Sequence, residues 1–361
     1  MRVLGVLAVA ALLALGVAVL VGCALAWVYP QMRARVLRLE PGRASAFLLG
    51  ISVIPWISGG LSVLVCLLPS AFSGLNFSGD HCLEHGGHPH LCLTHGQWQP
   101  TLLGLLLVTG LMLGVAVPLA RFLWTYWKGR QSLSSMLALG EPDEMWCSGS
   151  VRAPQGGVRG GHREPSEQAV PPGSCQGFFR LKVAPPLAFT TGIFRPRVCL
   201  SDGLLKALSP EHVEVVLAHE KAHQQRRDGL RLLLAEALTL ILPPQLRSQL
   251  LGDLVHTTER ACDERAALHA GDALQVAEAL LAASRLHLGV WPGLWRSMPS
   301  FGGGHLRPRV EALVNPPPAA FSAWWAGARA WPAGLLLLGL LVALSGEVHH
   351  ALESLLGLLS S

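Results

Sequence analysis

The sequence predicts a mostly α-helical membrane protein, in which four transmembrane helices carry an α+β domain inserted between the third and the fourth helix. Two observations lead to this prediction. The composition is 51% hydrophobic and only 14% charged, which is too apolar for an ordinary soluble protein. The apolar residues form four runs, and one long, more polar segment at 125–325 separates the third run from the fourth.

The first apolar run predicts a transmembrane helix at about 3–28, because it has no charged residue and a span needs about 20 apolar residues. One alternative stays open. Arg2, the apolar run and the tetrapeptide ending at Cys23 also resemble a lipoprotein signal. The run continues past Cys23 to Trp27, as a transmembrane span would.

Two further runs predict transmembrane helices at about 44–70 and 101–124, and a fourth predicts one at 326–346, followed by a short tail at 347–361. These helices place the chain in a lipid bilayer. Residues 1–124 therefore form a membrane region, with an outer loop at 73–100.

The distribution of basic residues predicts the orientation of these helices. Arg33, Arg35, Arg38 and Arg43 crowd the loop at 29–43, whereas no Lys or Arg occurs from 44 to 120. Under the positive-inside rule, that loop and the 125–325 segment are cytoplasmic, and the 73–100 loop and both termini lie outside. A modest net charge of +5 with this uneven placement indicates membrane topology, and we expect no direct nucleic-acid binding.

The cytoplasmic segment has its own order of elements. A Gly- and Pro-rich loop at 151–174 is followed by strands at Phe178–Val183 and within Leu187–Leu200, where Arg195-Pro196 interrupts the run. Helices are then predicted at Ser209–Arg226, Gly229–Leu242, Leu254–Ala270 and Ala273–Leu288.

The first of these helices carries a His-Glu-x-x-His motif. His219 and His223 are four residues apart, so both imidazoles project from one helical face and could bind one Zn²⁺. Glu220 lies beside them and could take a proton from water. The motif also arises by chance in about a few per cent of such chains, so its surroundings must decide.

A catalytic zinc needs a third protein ligand, and the Leu254–Ala270 helix offers one. Glu259 and Asp263 are four residues apart and share a face of that helix. Glu259 could ligate the metal, while Asp263 could hold a ligand histidine through its second ring nitrogen. A solvated acidic face is the alternative interpretation.

These motifs together resemble the antirepressor membrane metallopeptidases of the BlaR/MecR type. The resemblance covers about Gly177 to Leu313 by motif and the whole chain by topology. It rests on the segments Phe189–Val198, Leu208–Glu211, His219–Asp228, Glu259–Asp263 and His305–Leu313.

The resemblance implies a zincin-like, gluzincin type of fold and one catalytic Zn²⁺. It implies that His219, His223 and Glu259 bind the metal, that Glu220 is the catalytic base, and that a strand at the cleft edge binds substrate. The expected supporting residues are Asp263, Asp228, Arg309 and His305; the expected strand residues are Thr190, Thr191, Gly192, Ile193 and Phe194. For Arg309, a charge at the cytoplasmic membrane face is an equal alternative.

The family's named members carry a penicillin-binding sensor domain after the fourth span, and residues 347–361 are too short to form one. The outer loop could replace it, because it is rich in metal-binding side chains. These are His81, Cys82, His85, His88, His90, Cys92 and His95. This composition is compatible with a second metal such as zinc or copper, and also with a Cys82–Cys92 disulfide.

We therefore expect a zinc endopeptidase of the bacterial cytoplasmic membrane that cleaves a cytoplasmic protein in signal transduction. The substrate could be a winged-helix transcriptional repressor or the protein itself. One rival is a quality-control peptidase of the HtpX-like type, and another is a membrane signal transducer without enzymatic activity.

Overall fold

The computed structural model describes residues 2–74, 102–137, 140–142, 146–147, 175–286 and 306–315. The chain divides into two compact units. Among the described residues, the first unit holds 2–74, 102–124 and 235–253, and the second unit holds the rest. The predicted 326–346 helix, the 347–361 tail, the 151–174 loop and residues 75–100 of the outer loop lie outside the described residues.

The described helices and strands follow one another in a simple order along the chain. They are α1 (Arg2–Leu37), α2 (Pro41–Gly74), α3 (Leu102–Leu137), β1 (Gly140–Pro142), β2 (Trp146–Cys147), β3 (Cys175–Gln176), β4 (Phe179–Leu181), β5 (Ala188–Thr191), β6 (Arg197–Ser201), α4 (Asp202–Ala207), α5 (Pro210–Arg226), α6 (Asp228–Leu238), a 3-10 turn at Thr239–Ile241, α7 (Pro244–Ala270), α8 (Ala273–Leu286) and α9 (Leu306–Val314).

The first three helices extend beyond the apolar runs that predicted them. α1 continues through the arginine-bearing stretch to Leu37, so the cytoplasmic loop expected at 29–43 is reduced to a short turn before α2. Within the described part of the chain, Ala10–Leu37 and Pro41–Leu67 are long and apolar enough to cross a membrane.

Within the first unit, α1 and α2 pack closely because small residues face each other. A Cβ atom at Gly59 would collide with the backbone carbonyl of Ala14, so only glycine permits this approach. The residues around the α6–α7 turn contact the same pair of helices. The Trp56 indole donates a 2.8 Å hydrogen bond to the Leu238 carbonyl, and Leu242 lies against Gly22 of α1.

The second unit contains a four-stranded sheet in the order β1-β4-β6-β5. β6 pairs parallel with β4 and antiparallel with β5, in a register that sets Thr190 opposite Val198. Gly192 has a φ of 100°, a conformation that L side chains rarely adopt, and the strand ends just before it. The expected substrate-binding strand is therefore shorter than predicted, because Gly192 lies beyond its end and Ile193 and Phe194 lie in a bend that continues to Arg195.

Helix α5 begins and ends as its sequence predicts. The Ser209 hydroxyl accepts a hydrogen bond from the His212 amide, and Pro210 occupies the first turn. Arg227 adopts the left-handed conformation after the helix, with a φ of 54°. This turn allows α6 to begin at once at Asp228.

Helix α7 is longer than predicted. The sequence indicated a start at Leu254, but the helix begins at Pro244, because proline is well tolerated in a first helical turn. One face of its C-terminal part is buried with the sheet, α5 and α8. This core includes Leu200, Leu204, Val216, Ala266 and Leu280. The packing holds α5 and α7 side by side, and it is these two helices that carry the candidate metal-binding residues.

Candidate metal centre

Helix α5 presents two imidazoles to one point. His219 and His223 are fully buried, and their Nε2 atoms are 3.1 Å apart. The spacing of four residues on a helix explains why both rings lie on the same face. Two neutral rings with both Nε2 lone pairs turned toward each other would repel, so this geometry calls for a proton or a cation between them.

Helix α7 adds a carboxylate to the same point. Glu259 Oε2 lies 3.6 Å from His219 Nε2, and Glu259 Oε1 lies 3.5 Å from His223 Nε2. A tetrahedral zinc with bonds of about 2.0–2.1 Å separates its ligand atoms by roughly 3.3–3.4 Å. The three residues therefore form a cluster that could hold a metal ion, with ligand–ligand distances that fit zinc.

Two aspartates fix which nitrogen of each histidine faces the cluster. Asp263 Oδ1 lies 3.0 Å from His219 Nδ1, and Asp228 Oδ2 lies 2.9 Å from His223 Nδ1. Each carboxylate accepts the Nδ1 proton, which leaves the Nε2 lone pair free for a metal. This arrangement of a carboxylate, a histidine and a metal is the usual outer support of zinc sites.

Arg309 of α9 supplies positive charge to the same shell. Its guanidinium is fully buried and binds Asp263 through two hydrogen bonds of 2.6 and 2.7 Å. Its Nη1 atom also lies 2.8 Å from Glu259 Oε2. Burial alone would raise the pKa of both acidic groups, but the charge of Arg309 holds the pKa of Glu259 and of Asp263 below the usual range.

Burial and nearby charges also act in opposite directions on the pKa of His219. Burial lowers the pKa of His219, but the carboxylates of Asp263 and Glu259 outweigh it and raise that pKa to about 9. Without a metal, the site therefore retains a proton on His219 at neutral pH. A divalent cation would take the place of that proton among the same acceptors.

Glu220 lies next to the histidines and is fully buried. Burial raises the pKa of this carboxyl group, with the histidines and Thr190 opposing the shift. The Thr190 hydroxyl lies 2.8 Å from Glu220 Oε2 and 2.8 Å from the Glu220 backbone oxygen. A carboxylate with a raised pKa beside a metal-binding cluster is suited to accept and return a proton.

A second cluster of metal-binding side chains shares His223. Cys262 Sγ lies 3.3 Å from His223 Nδ1 and 3.5 Å from Asp228 Oδ2. Two arginines also contact Asp228, Arg226 at 3.1 Å and Arg231 at 3.3 Å. Because these cations already neutralise the aspartate, the second cluster is better suited to orient His223 than to hold another metal.

The structure brings most of the sequence-predicted residues together. His219, His223, Glu259, Glu220, Asp263, Asp228 and Arg309 surround one point, and Thr190 of β5 contacts Glu220. Thr191 follows Thr190 on the same strand. His305 and the outer-loop residues His81, Cys82, His85, His88, His90, Cys92 and His95 lie outside the described residues, so their roles stay predictions.

Two contacts of this site were not predicted. Cys262 precedes Asp263 on α7 and is not among the predicted site residues, although its place next to a predicted supporting aspartate was a usable signal. The hydrogen bond from Thr190 to Glu220 joins residues that are distant in sequence, and no local pattern indicates it.

Residues 181–286 match Peptidase family M48. The matched segment begins in β4 and ends with α8, so it includes the His-Glu-x-x-His helix and Glu259. This domain supports a metallopeptidase. No curated protein and no solved structure matches the chain.

Proposed function

We propose that this protein is a membrane-embedded, zinc-dependent endopeptidase that cleaves a cytoplasmic protein as a step in signal transduction. One observation carries the proposal. Two histidines and a glutamate present their ligand atoms to a single buried point, with a further buried glutamate, Glu220, directly beside them. The Peptidase family M48 match supports the peptidase part of this proposal.

Zinc is the metal that the donor set favours. Two imidazole nitrogens and one carboxylate, at distances that fit a tetrahedron, are a common set for catalytic zinc, with one position left for water or substrate. Softer metals would favour thiolate ligands, and calcium or magnesium would favour a site built from oxygen atoms.

The chemistry assigned to the chain's own residues is acid–base catalysis. When bound, zinc would polarise the attacking water and the peptide carbonyl. Glu220 accepts the proton from that water and later donates it to the amine of the departing peptide. Its raised pKa suits this exchange, since a carboxylate with an unshifted acidic pKa is a weak base that accepts and holds a proton poorly at neutral pH.

The substrate is proposed to bind along β5. In the described sheet this strand lies at the end of the order β1-β4-β6-β5 and pairs with β6 along one edge. Its other edge offers backbone groups to an extended peptide, which can add as a further strand. Thr190 lies on β5 and also contacts Glu220, so a peptide on this strand would run past the catalytic carboxylate.

The cellular setting is proposed from the sequence. Two described helices are long and apolar enough to cross a membrane, and the arginine pattern favours a cytoplasmic peptidase domain in a bacterial inner membrane. The motif resemblance to the antirepressor type favours a winged-helix repressor, or the protein itself, as substrate. No nucleic acid is needed for this role. The His- and Cys-rich outer loop is the proposed sensor.

The test compares wild type with Glu220→Gln in the full-length protein, reconstituted in lipid nanodiscs. We expect both proteins to bind one zinc ion, and only wild type to cleave itself or added β-casein. Cleavage by Glu220→Gln at the wild-type rate would reject the catalytic assignment. Zinc binding without cleavage in both proteins would favour the non-enzymatic transducer, whereas rapid cleavage of unfolded membrane proteins would favour the quality-control peptidase.

A further inference from the structure

We propose that the Thr190 hydroxyl is a positioning group for Glu220, which holds one oxygen of this carboxylate so that the other faces the attacking water. The inference rests on the proposed function, because it assigns a role within that reaction. This role of the Thr190 side chain is separate from the proposed pairing of the β5 backbone with a substrate peptide.

The contacts define this role. Thr190 Oγ1 lies 2.8 Å from Glu220 Oε2 and 2.8 Å from the backbone oxygen of Glu220. Both residues are buried, so bulk water does not compete for these hydrogen bonds. The hydroxyl has one hydrogen for these two acceptors, so it shares that hydrogen between them, and its contact with Oε2 is the one that restricts the carboxylate.

Thr190 is itself held firmly. It lies in β5 opposite Val198 of β6, and the strand ends one residue later, just before Gly192 with its positive φ. A β-branched side chain in a strand has few rotamers, so its hydroxyl direction follows from the strand backbone. The sheet therefore fixes the carboxylate through one short side chain.

The test uses two substitutions that separate the hydroxyl from the shape of the side chain. Thr190→Val keeps the shape and removes the hydroxyl, whereas Thr190→Ser keeps the hydroxyl. With β-casein as the probe, we expect Thr190→Val to lower kcat by about 10- to 100-fold with little change in KM, since misplacing a catalytic group has effects of this size. Thr190→Ser should recover most of the rate. Zinc content should stay unchanged in both.

A second measurement does not depend on activity. Infrared difference spectra of wild type minus Glu220→Gln identify the carboxyl band of Glu220. We expect this band to shift in Thr190→Val and to stay in place in Thr190→Ser, because only the first loses the hydrogen bond. Thr239→Val is the matched control: this buried hydroxyl donates to the Ala235 carbonyl in the first unit, so its removal should leave the band and kcat unchanged.

Different results would reject the role of Thr190 and the proposed function. If Thr190→Val keeps the wild-type kcat and band position while Glu220→Gln is inactive, the role of Thr190 is rejected and the proposed function stands. If Glu220→Gln cleaves as wild type does, the proposed function is rejected first. Equal losses in Thr190→Val and Thr190→Ser would mean that the hydroxyl is not what matters.

Discussion

Two aspartates of helix α7 each bind an arginine, but in very different surroundings. In the first unit, Asp253 accepts two hydrogen bonds from Arg33 and one from the Tyr29 hydroxyl, and the Arg33 side chain is 48% exposed. In the second unit, Asp263 accepts two hydrogen bonds from Arg309, whose side chain is 0% exposed.

The difference in solvent exposure indicates a different role for each ion pair. An ion pair open to solvent is weakened by water and salt, and its removal costs little. A fully buried pair adds little net stability, but removing one partner leaves an uncompensated charge in the interior. The pair at Asp263 also touches His219 and Glu259, so its burial fits a role in holding the candidate metal-binding residues in place.

The largest expected effect is at Arg309. Arg309→Met would leave Asp263 and Glu259 buried without their compensating cation in the metal-free protein. We expect a loss of about 3–5 kcal/mol in the free energy of unfolding, measured by urea denaturation in detergent micelles. Arg307→Met, on the exposed face of the same helix, should change it by less than about 0.5 kcal/mol. Similar losses of unfolding free energy in the two variants would show that burial of the Arg309 ion pair does not matter for stability.

A second prediction concerns the pH dependence of zinc binding. The pKa of His219 is raised to about 9 in the metal-free fold, despite burial, by Asp263 and Glu259. The protonated ring therefore stabilises the metal-free fold fully below the ordinary histidine pKa of about 6.5, and this stabilisation is lost as pH rises through about 9. Zinc must displace that proton. Its apparent affinity should thus rise about tenfold per pH unit from neutral pH toward 9.

Competition with a chelating dye at several pH values would measure this slope. Asp263→Asn is the sharpest comparison, because it removes a carboxylate that raises the pKa of His219. In that variant the rise should end at a lower pH, and zinc should bind about 10- to 100-fold more weakly. A zinc affinity that does not change with pH in the wild type would contradict the protonated state assigned to His219.

The smallest expected effect is at Arg33. Arg33→Met should lower the free energy of unfolding by only about 1 kcal/mol, because this arginine is half exposed and Tyr29 still donates to Asp253. The effect should shrink further in about 1 M salt, where exposed charges are screened. A loss as large as that expected for Arg309→Met would show that exposure does not explain the difference between the two pairs.

The sequence predicted the parts of this molecule that depend on local periodicity. The helical spacing of four residues placed His219 beside His223 and Glu259 on the same face as Asp263, and Ser209 with Pro210 marked the start of α5. The match of residues 181–286 to a peptidase family agrees with the metallopeptidase expected from these motifs.

The parts that were missed depend on packing or on competing local signals. The sequence predicts no helix between Leu242 and Leu254, whereas α7 begins at Pro244, because proline is compatible with the first turn of a helix as well as with a helix end. Gly192 ends β5 early through its positive φ, which the strand-like composition around it does not reveal. The contact between Thr190 and Glu220 joins a strand to a helix and arises only when the sheet packs on α5.

The position of Arg309 in the chain has a consequence for synthesis. All three candidate metal ligands have been translated once residue 259 is complete, but the cation that balances their charge lies on α9, about 50 residues later. At typical rates of about 5–20 residues per second, this separates the ligands from Arg309 by several seconds. We expect Glu259 and Asp263 to be held in place less firmly in a nascent chain than in the full-length protein, so that the candidate metal centre is complete only once α9 has been made.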